Sequence, residues 1–250
     1  MMTEFHIIIP ARYQSARFPG KLMEDLQGMT VIERVYRQAL LAGAQSIIIA
    51  TDHEIIAGHA RHFGAKVVMT AVENQTGTDR ISEVVAKGDF AADDIIVNVQ
   101  GDEPFIAPQL IKQVAHSLQQ THAPVATLCW PIDSLEQFKN PDVVKVVRSQ
   151  HNHALYFSRC PIPNHRDEAL SFAHAYRHIG LYAYRAHFLL DYVTWPTCSL
   201  EEDEALEQLR ILWTETAINV DVACVEPLQD INTMEDLKLA QQLLASNVEN

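Results

Sequence analysis

The sequence predicts an α/β fold: one continuous domain over residues 1–250, built on a mostly parallel sheet. Three observations lead there. Short apolar runs alternate with helical patterns through the first two thirds of the chain. The connections are helix-length, which parallel strands need and hairpins do not. No linker, internal repeat or low-complexity tract divides the chain.

The elements follow in order. Phe5–Pro10 is a short apolar strand. Thr30–Ala42 carries Val31, Ile32, Val35, Ala39 and Leu40 on one helical face, and Gly43 follows as a terminator. Ile47–Thr51 reads as a second strand, Glu54–Phe63 as a helix closed by Gly64, Lys66–Met69 as a third strand and Asp79–Lys87 as a third helix. Ile95–Val99 is the cleanest strand, with β-branched residues at four of five positions. Pro108–Gln120 is helical, with proline tolerated in its first turn. From Val125 the pattern becomes strand-rich: Val125–Trp130, Val143–Arg148, Ala154–Ser158 and His178–Tyr184. Glu201–Leu212 and Met234–Leu244 read as closing helices. The strand-rich stretch around 125–185 is expected as an insertion within the single domain.

Composition narrows the function. The chain holds 32 acidic against 19 basic residues, a formal net charge of −13. That speaks against a nucleic-acid partner and against attraction to anionic lipid. No apolar stretch approaches the roughly 20 residues of a membrane span, so no membrane insertion is expected. The N-terminal MMTEFHIIIPAR lacks the basic region of a signal peptide. Four scattered cysteines, Cys129, Cys160, Cys198 and Cys224, form no C-x-x-C pair. They are expected to be reduced and mostly buried, in a cytoplasmic protein.

Parallel sheets bind ligands beyond the carboxyl ends of their strands. The residues there are Ala11–Lys21, Asp52 and Gln100–Pro104, three groups that each carry polar or charged side chains. The loop Pro10-Ala-Arg-Tyr-Gln-Ser-Ala-Arg-Phe-Pro-Gly-Lys21 is the most informative. It places Arg12, Arg17 and Lys21 within ten residues and contains no acid. Cations and backbone N–H groups after a strand suit a polyphosphate. The loop fits neither the ATPase P-loop nor the dinucleotide fingerprint. Asp52 alone has a bland reading, the N-cap of the following helix.

The run IIIPARYQSARFPGK resembles the signature of the sugar-activating cytidylyltransferases. Within them it is similar to the branch acting on the sugar acid 3-deoxy-manno-octulosonate (Kdo), rather than the acylneuraminate branch. The resemblance continues in order through ATDHE at 50–54, TGTDR at 76–80, VNVQGDEP at 97–104, NPDVVKVV at 140–147, ALYFSR at 154–159, RHIGLYAYR at 177–185 and LEQLRILW at 206–213. Eight collinear pieces cover nearly the whole chain.

The resemblance implies a three-layer α/β/α sandwich, the Rossmann-like nucleotide-diphospho-sugar transferase fold with a mixed, mostly parallel sheet. It also implies a homodimer, with the 125–185 insertion contributing to sugar binding and dimerisation. The implied reaction is CTP plus Kdo giving CMP-Kdo and pyrophosphate, for lipopolysaccharide synthesis. Arg12, Arg17 and Lys21 would grip the triphosphate, with Lys21 nearest the α-phosphate. Pro10, Ala11, Gly77, Thr78, Arg80 and Gln100 would surround the nucleotide. Asp102 would hold Mg²⁺, which carboxylates suit. Arg159 and His178 would meet the sugar's carboxylate and ring oxygens, with Gln100, Tyr182, Glu207 and Gln208 reading its hydroxyls. Plain alternatives stand beside some of these: Thr78 as a helix N-cap, His178 as a structural histidine, Glu207 and Gln208 on a solvated helix face, and the run Glu201–Glu204 as a favourable acidic helix start.

One position departs from the family pattern. In DINTMEDL at 230–237 the family's metal-binding Asp aligns with Asn232, while Asp230 lies two residues upstream. The departure leaves two further readings: the same transfer to a modified acceptor such as 8-amino-Kdo, or a non-catalytic binding paralogue.

Overall fold

A computed structural model describes residues 3–14, 18–167, 171–228 and 230–248. The strands are β1 (His6–Ala11), β2 (Ser46–Thr51), β3 (Lys66–Met69), β4 (Ile95–Asn98), β5 (Val125–Pro131), β6 (Lys145–Arg148), β7 (Ala154–Ser158), β8 (Tyr176–Arg185) and β9 (Ile218–Val222). The helices are α1 (Val31–Leu40), α2 (Glu54–His62), α3 (Gly77–Lys87), α4 (Pro108–Gln119), α5 (Leu135–Lys139), α6 (Ala186–Tyr192), α7 (Ser199–Glu204), α8 (Gln208–Trp213) and α9 (Met234–Val248). No helix of the described residues is long and apolar enough to cross a membrane.

The strands form one sheet in the order β3-β2-β1-β4-β8-β5-β9, with β6 and β7 branching from β8. β1, β2, β3 and β4 are mutually parallel, β8 runs against β4 and β5, and β9 is parallel to β5. Alternation along the strands sends side chains to two faces. Ile7, Ile9 and Ala11 of β1 and Ile95 and Val97 of β4 join one core with residues of α1, α2, α4 and α9. Ile8 and Ile96 join the other, with residues of α3, α6 and α8. The three-layer α/β/α expectation therefore holds, with helices covering both faces of a mixed sheet.

Several expected boundaries move. The single helix expected over Glu201–Leu212 is two short helices, broken at Ala205, which takes the left-handed conformation (φ 49°). Tertiary contacts hold that corner. Arg210 donates through Nε to Glu201 Oε2 at 2.6 Å and through a second nitrogen to Oε1, with both side chains about nine-tenths buried. Glu201 lies in the first turn of α7, as expected of an acidic helix start, and is in addition the buried partner of an arginine. Helices α5 and α6 and strand β9 were not read from the sequence, being short and without a clear period. Of the four free cysteines, Cys129 and Cys198 are buried and Cys160 and Cys224 are exposed, so only half match the buried expectation.

Candidate functional site

The strand order reverses beside β1, which lies between β2 and β4. Chains leaving the carboxyl ends of those strands diverge there and open a cleft. The cleft has two lobes. The larger, about 270 Å³, is lined by Pro10, Arg12, Lys21, Leu22, Asn74, Gln75, Thr76, Gly77, Arg80, Gln100, Gly101, Asp102 and Glu207. The smaller, about 210 Å³, is lined by Gly77, Thr78, Asn98, Gln100, Tyr182, Tyr184, Tyr192 and residues 205–208 and 211. Gly77, Gln100 and Glu207 belong to both, so the lobes meet at those residues.

The cation loop reaches the larger lobe by a turn. Gly20 sits at φ 75°, a conformation glycine takes without a steric cost, and its N–H donates to the Tyr13 carbonyl at 2.9 Å. Lys21 follows directly. Its Nζ donates to Asp102 Oδ2 and, at 3.1 Å, to the Ile231 carbonyl. Ile231 in turn donates its N–H to the Asp102 carbonyl at 2.9 Å. Three distant segments are thus tied at one point. Gly101 lets the Asp102 loop lie close against the end of β1: a Cβ there would stand 2.9 Å from the Pro10 carbonyl oxygen. Arg17 lies outside the described residues.

Helix α3 brings its first turn to the junction of the lobes. Its N-cap is Thr76, not Thr78: the Thr76 hydroxyl accepts from Asp79 N–H and Asp79 accepts in return from Thr76 N–H. Thr78 is free of the capping duty and lines the smaller lobe. Arg80, 3% exposed, donates to Asp52 Oδ2 at 2.9 Å and to the Thr70 hydroxyl. Asp52 is therefore not the N-cap of α2. His53 is, its Nδ1 accepting from Ile55 N–H at 3.3 Å.

Electrostatics differ between the lobes. Around Asp102, burial pushes the Glu103 carboxyl well up, with Asp230 and Asp102 adding repulsion. Burial likewise raises Asp230, and Asp102 adds to it. Asn232 faces elsewhere in its backbone: its N–H and that of Thr233 go to Asp236 at the start of α9, while its side-chain amide donates to Asp230 Oδ2 at 3.3 Å. In the smaller lobe burial raises the Glu207 carboxyl. Burial also raises the Tyr182 and Tyr184 hydroxyls. Tyr182 Oη and Glu207 Oε2 are buried with no hydrogen-bond partner among the described residues, which leaves these two atoms available to a ligand.

Of the residues singled out from the sequence, Pro10, Arg12, Lys21, Gly77, Arg80, Gln100, Asp102 and Glu207 line the larger lobe, and Thr78, Tyr182 and Gln208 the smaller. Ala11 is fully buried in the sheet core and lines neither. Arg159 stands behind the smaller lobe. It donates to the carbonyls of Glu204 at 2.6 Å, Ala205 at 3.3 Å and Pro141 at 3.0 Å, so it holds the α7 end whose next residues form the wall. His178 bonds Thr127 Oγ1 at 3.0 Å and packs edge-on to Phe157, 5.0 Å between centroids. Burial lowers its pKa to about 3. The ring is neutral near pH 7 and lines neither lobe.

Sequence reasoning missed Asn74, Gln75, Asn98, Tyr184 and Tyr192 as lining residues. Asn98 did carry a signal: it is a polar residue at 2% exposure ending an otherwise apolar buried strand.

Comparisons with known proteins bear on the family and the fold. A family model described as Cytidylyltransferase matches residues 6–218. A 3-deoxy-manno-octulosonate cytidylyltransferase of Legionella pneumophila (strain Lens) is 67% identical over 242 residues, covering 97% of both chains. One from Vibrio vulnificus (strain CMCP6) is 48% identical over 247 residues, covering 97% of this chain and 98% of the relative. A solved structure of CMP:2-keto-3-deoxy-manno-octonic acid synthetase complexed with CTP superposes with a TM-score of 0.91 at 36% identity, over 98% of this chain and 99% of that one. A 4-diphosphocytidyl-2C-methyl-D-erythritol synthase, at 12% identity and a TM-score of 0.65, over 96% of this chain and 98% of that one, shares the fold alone.

Proposed function

The chain belongs to the cytidylyltransferase family, and from that premise we infer that it transfers CMP from CTP to the anomeric hydroxyl of Kdo, releasing pyrophosphate. The observation that carries this reading is the two-lobed cleft at the end of β1 and β4. A cation-bearing loop borders its larger lobe, and a tyrosine hydroxyl and one carboxyl oxygen with no partner among the described residues border the smaller.

CTP takes the larger lobe, with its phosphates toward Arg12 and Lys21. Arg17 belongs to the same loop and the same role. Kdo takes the smaller lobe, where Tyr182, Glu207 and Gln208 meet its hydroxyls and Arg159 and neutral His178 support the wall. The lobes join at Gly77, Gln100 and Glu207, so the nucleophilic oxygen meets the α-phosphorus there. The bond from that oxygen to phosphorus forms, the phosphorus–oxygen bond to the β-phosphate breaks with its electron pair leaving on pyrophosphate, and the hydroxyl proton passes to solvent. Such a displacement asks the protein for position and charge neutralisation rather than covalent work. Lys21 supplies a cation held by Asp102 and the Ile231 carbonyl.

Mg²⁺ fits the donor set. It is commonly held by one or two carboxylates together with substrate phosphates. Asp102 lies in the larger lobe and Asp230 and Glu103 interact with it electrostatically. Among the described residues no three side chains of metal-binding type form a cage. Asp102 would hold the ion, and its chemistry there would be neutralisation of charge on the phosphate oxygens. A homodimer joined through the 125–185 region and a cytoplasmic location complete the reading.

The test is pyrophosphate release from CTP and Kdo with Mg²⁺. Turnover is expected in the wild type. Lys21→Ala and Asp102→Asn should each lower kcat at least about a hundredfold, with circular dichroism and thermal melting close to wild type. Silence of the wild type with Kdo and with 8-amino-Kdo overturns the reading.

A further inference from the structure

We propose that Asp52 is a positioning residue for the nucleotide, fixing the Arg80 guanidinium in the wall of the larger lobe. The proposal rests on reading that lobe as the CTP site.

The sheet sets the geometry. Thr51 ends β2, paired to Ala11 of β1 on one side and Met69 of β3 on the other. Asp52 and Thr70 are the next residues out, and Thr70 N–H donates to the Thr51 carbonyl at 2.9 Å. Both are therefore fixed in register. Arg80 comes from the other direction, on the first turns of α3, and its guanidinium lies between them. One terminal nitrogen goes to Thr70 and, at 3.5 Å, to the Ala71 carbonyl; the other goes to Asp52 at 2.9 Å.

The pair is poorly exposed: the Arg80 side chain is 3% accessible and that of Asp52 16%. A guanidinium has five N–H donors in a rigid plane. Fixing one edge on Asp52 and Thr70 fixes where the rest points, and Arg80 lines the lobe. Asp52 is available for this because its neighbour takes over the capping of α2. His53 does so, and its ring also stacks on Tyr13 of the cation loop, 4.2 Å between centroids and 15° between planes. The end of β2 thus braces both walls of the lobe, one through each residue.

A double-mutant cycle read by calorimetric titration of CTP, without acceptor sugar, tests this. Asp52→Asn should weaken CTP binding roughly tenfold or more, with kcat at saturating CTP within about threefold of wild type. Arg80→Ala should weaken binding at least as much. The double variant should be no worse than Arg80→Ala alone, and Asp52→Glu should recover part of the loss. Wild-type affinity in Asp52→Asn, or additive losses in the double variant, overturns the proposal. If Asp52→Asn does not fold, Asp52→Leu/Arg80→Met replaces the pair by apolar groups, an exchange that buried ion pairs often tolerate. CTP binding by that folded variant equal to that of Arg80→Met alone supports the proposal, and wild-type binding or a further loss beyond Arg80→Met overturns it. Normal CTP binding by a wild type that turns over no sugar fails the proposed reaction while leaving the cycle readable. A wild type that binds no CTP fails both.

Discussion

At the scale of single residues, the sequence named side chains better than it named their work. Lys21, Asp102 and Gln100 stand where a post-strand reading puts them, because the strands are strongly apolar and their ends are easy to locate. Asp52 has the local signature of a helix cap, and it is instead an ion-pair partner of a residue 28 positions away. That pairing depends on the register of three strands, which no local pattern carries. His178 shows the same limit. A histidine offers charge or no charge depending on its surroundings, and here burial keeps the ring neutral, with a pKa near 3. In the unfolded chain the ring takes a proton at its ordinary value of 6.5. The unfolded state therefore binds the extra proton below that pH. This contribution to stability is fully present above about 6.5 and is lost as pH falls toward 3. Denaturation at pH 7.5, 6.0 and 5.0 should show wild type losing more stability on acidification than His178→Gln, by up to about 1.4 kcal/mol per pH unit. Identical pH slopes would show that the ring titrates normally.

Elements were legible where amphipathic period and terminators coincide. Lys66–Met69 and Ala154–Ser158 match their strands at both ends, and the helix expected over Thr30–Ala42 is α1 with Thr30 as its cap. The α7–α8 corner was not legible. Its residues have continuous helical pattern, and what breaks them is the left-handed Ala205 held by the buried Glu201–Arg210 pair. For a residue with a Cβ that conformation costs about 1–2 kcal/mol, so the corner depends on its staple. The corner also carries the wall residues 205–208 of the smaller lobe. Glu201→Ala leaves an arginine buried without its carboxylate and should cost about 3–5 kcal/mol in urea denaturation. In the fraction that remains folded, KM for the acceptor should rise more than KM for CTP. Equal rises in both would mean that the corner serves overall stability and not the smaller lobe.

At the scale of the whole molecule, both proposed substrates are anions and the chain carries a formal charge of −13. Two charges about 20 Å apart in water interact by roughly 0.2 kcal/mol, so the summed excess of acids repels each unit of ligand charge by about 2–3 kcal/mol when unscreened. Contacts at Lys21 and Arg12 act over a few ångströms and change little with salt. The distant acids are different: the screening length is about 8 Å at 0.15 M ionic strength and about 30 Å at 0.01 M. Moderate salt should therefore remove most of the repulsion and little of the grip. CTP affinity, titrated at fixed free Mg²⁺, should be severalfold weaker at about 0.01 M than at about 0.15 M, the reverse of the usual trend for a polyanion on a cationic site. A steady gain in affinity down to the lowest salt would mean that the acid-free loop dominates the field at long range as well as at contact. The cations of Pro10–Lys21 would then attract CTP from solution as well as hold it on arrival.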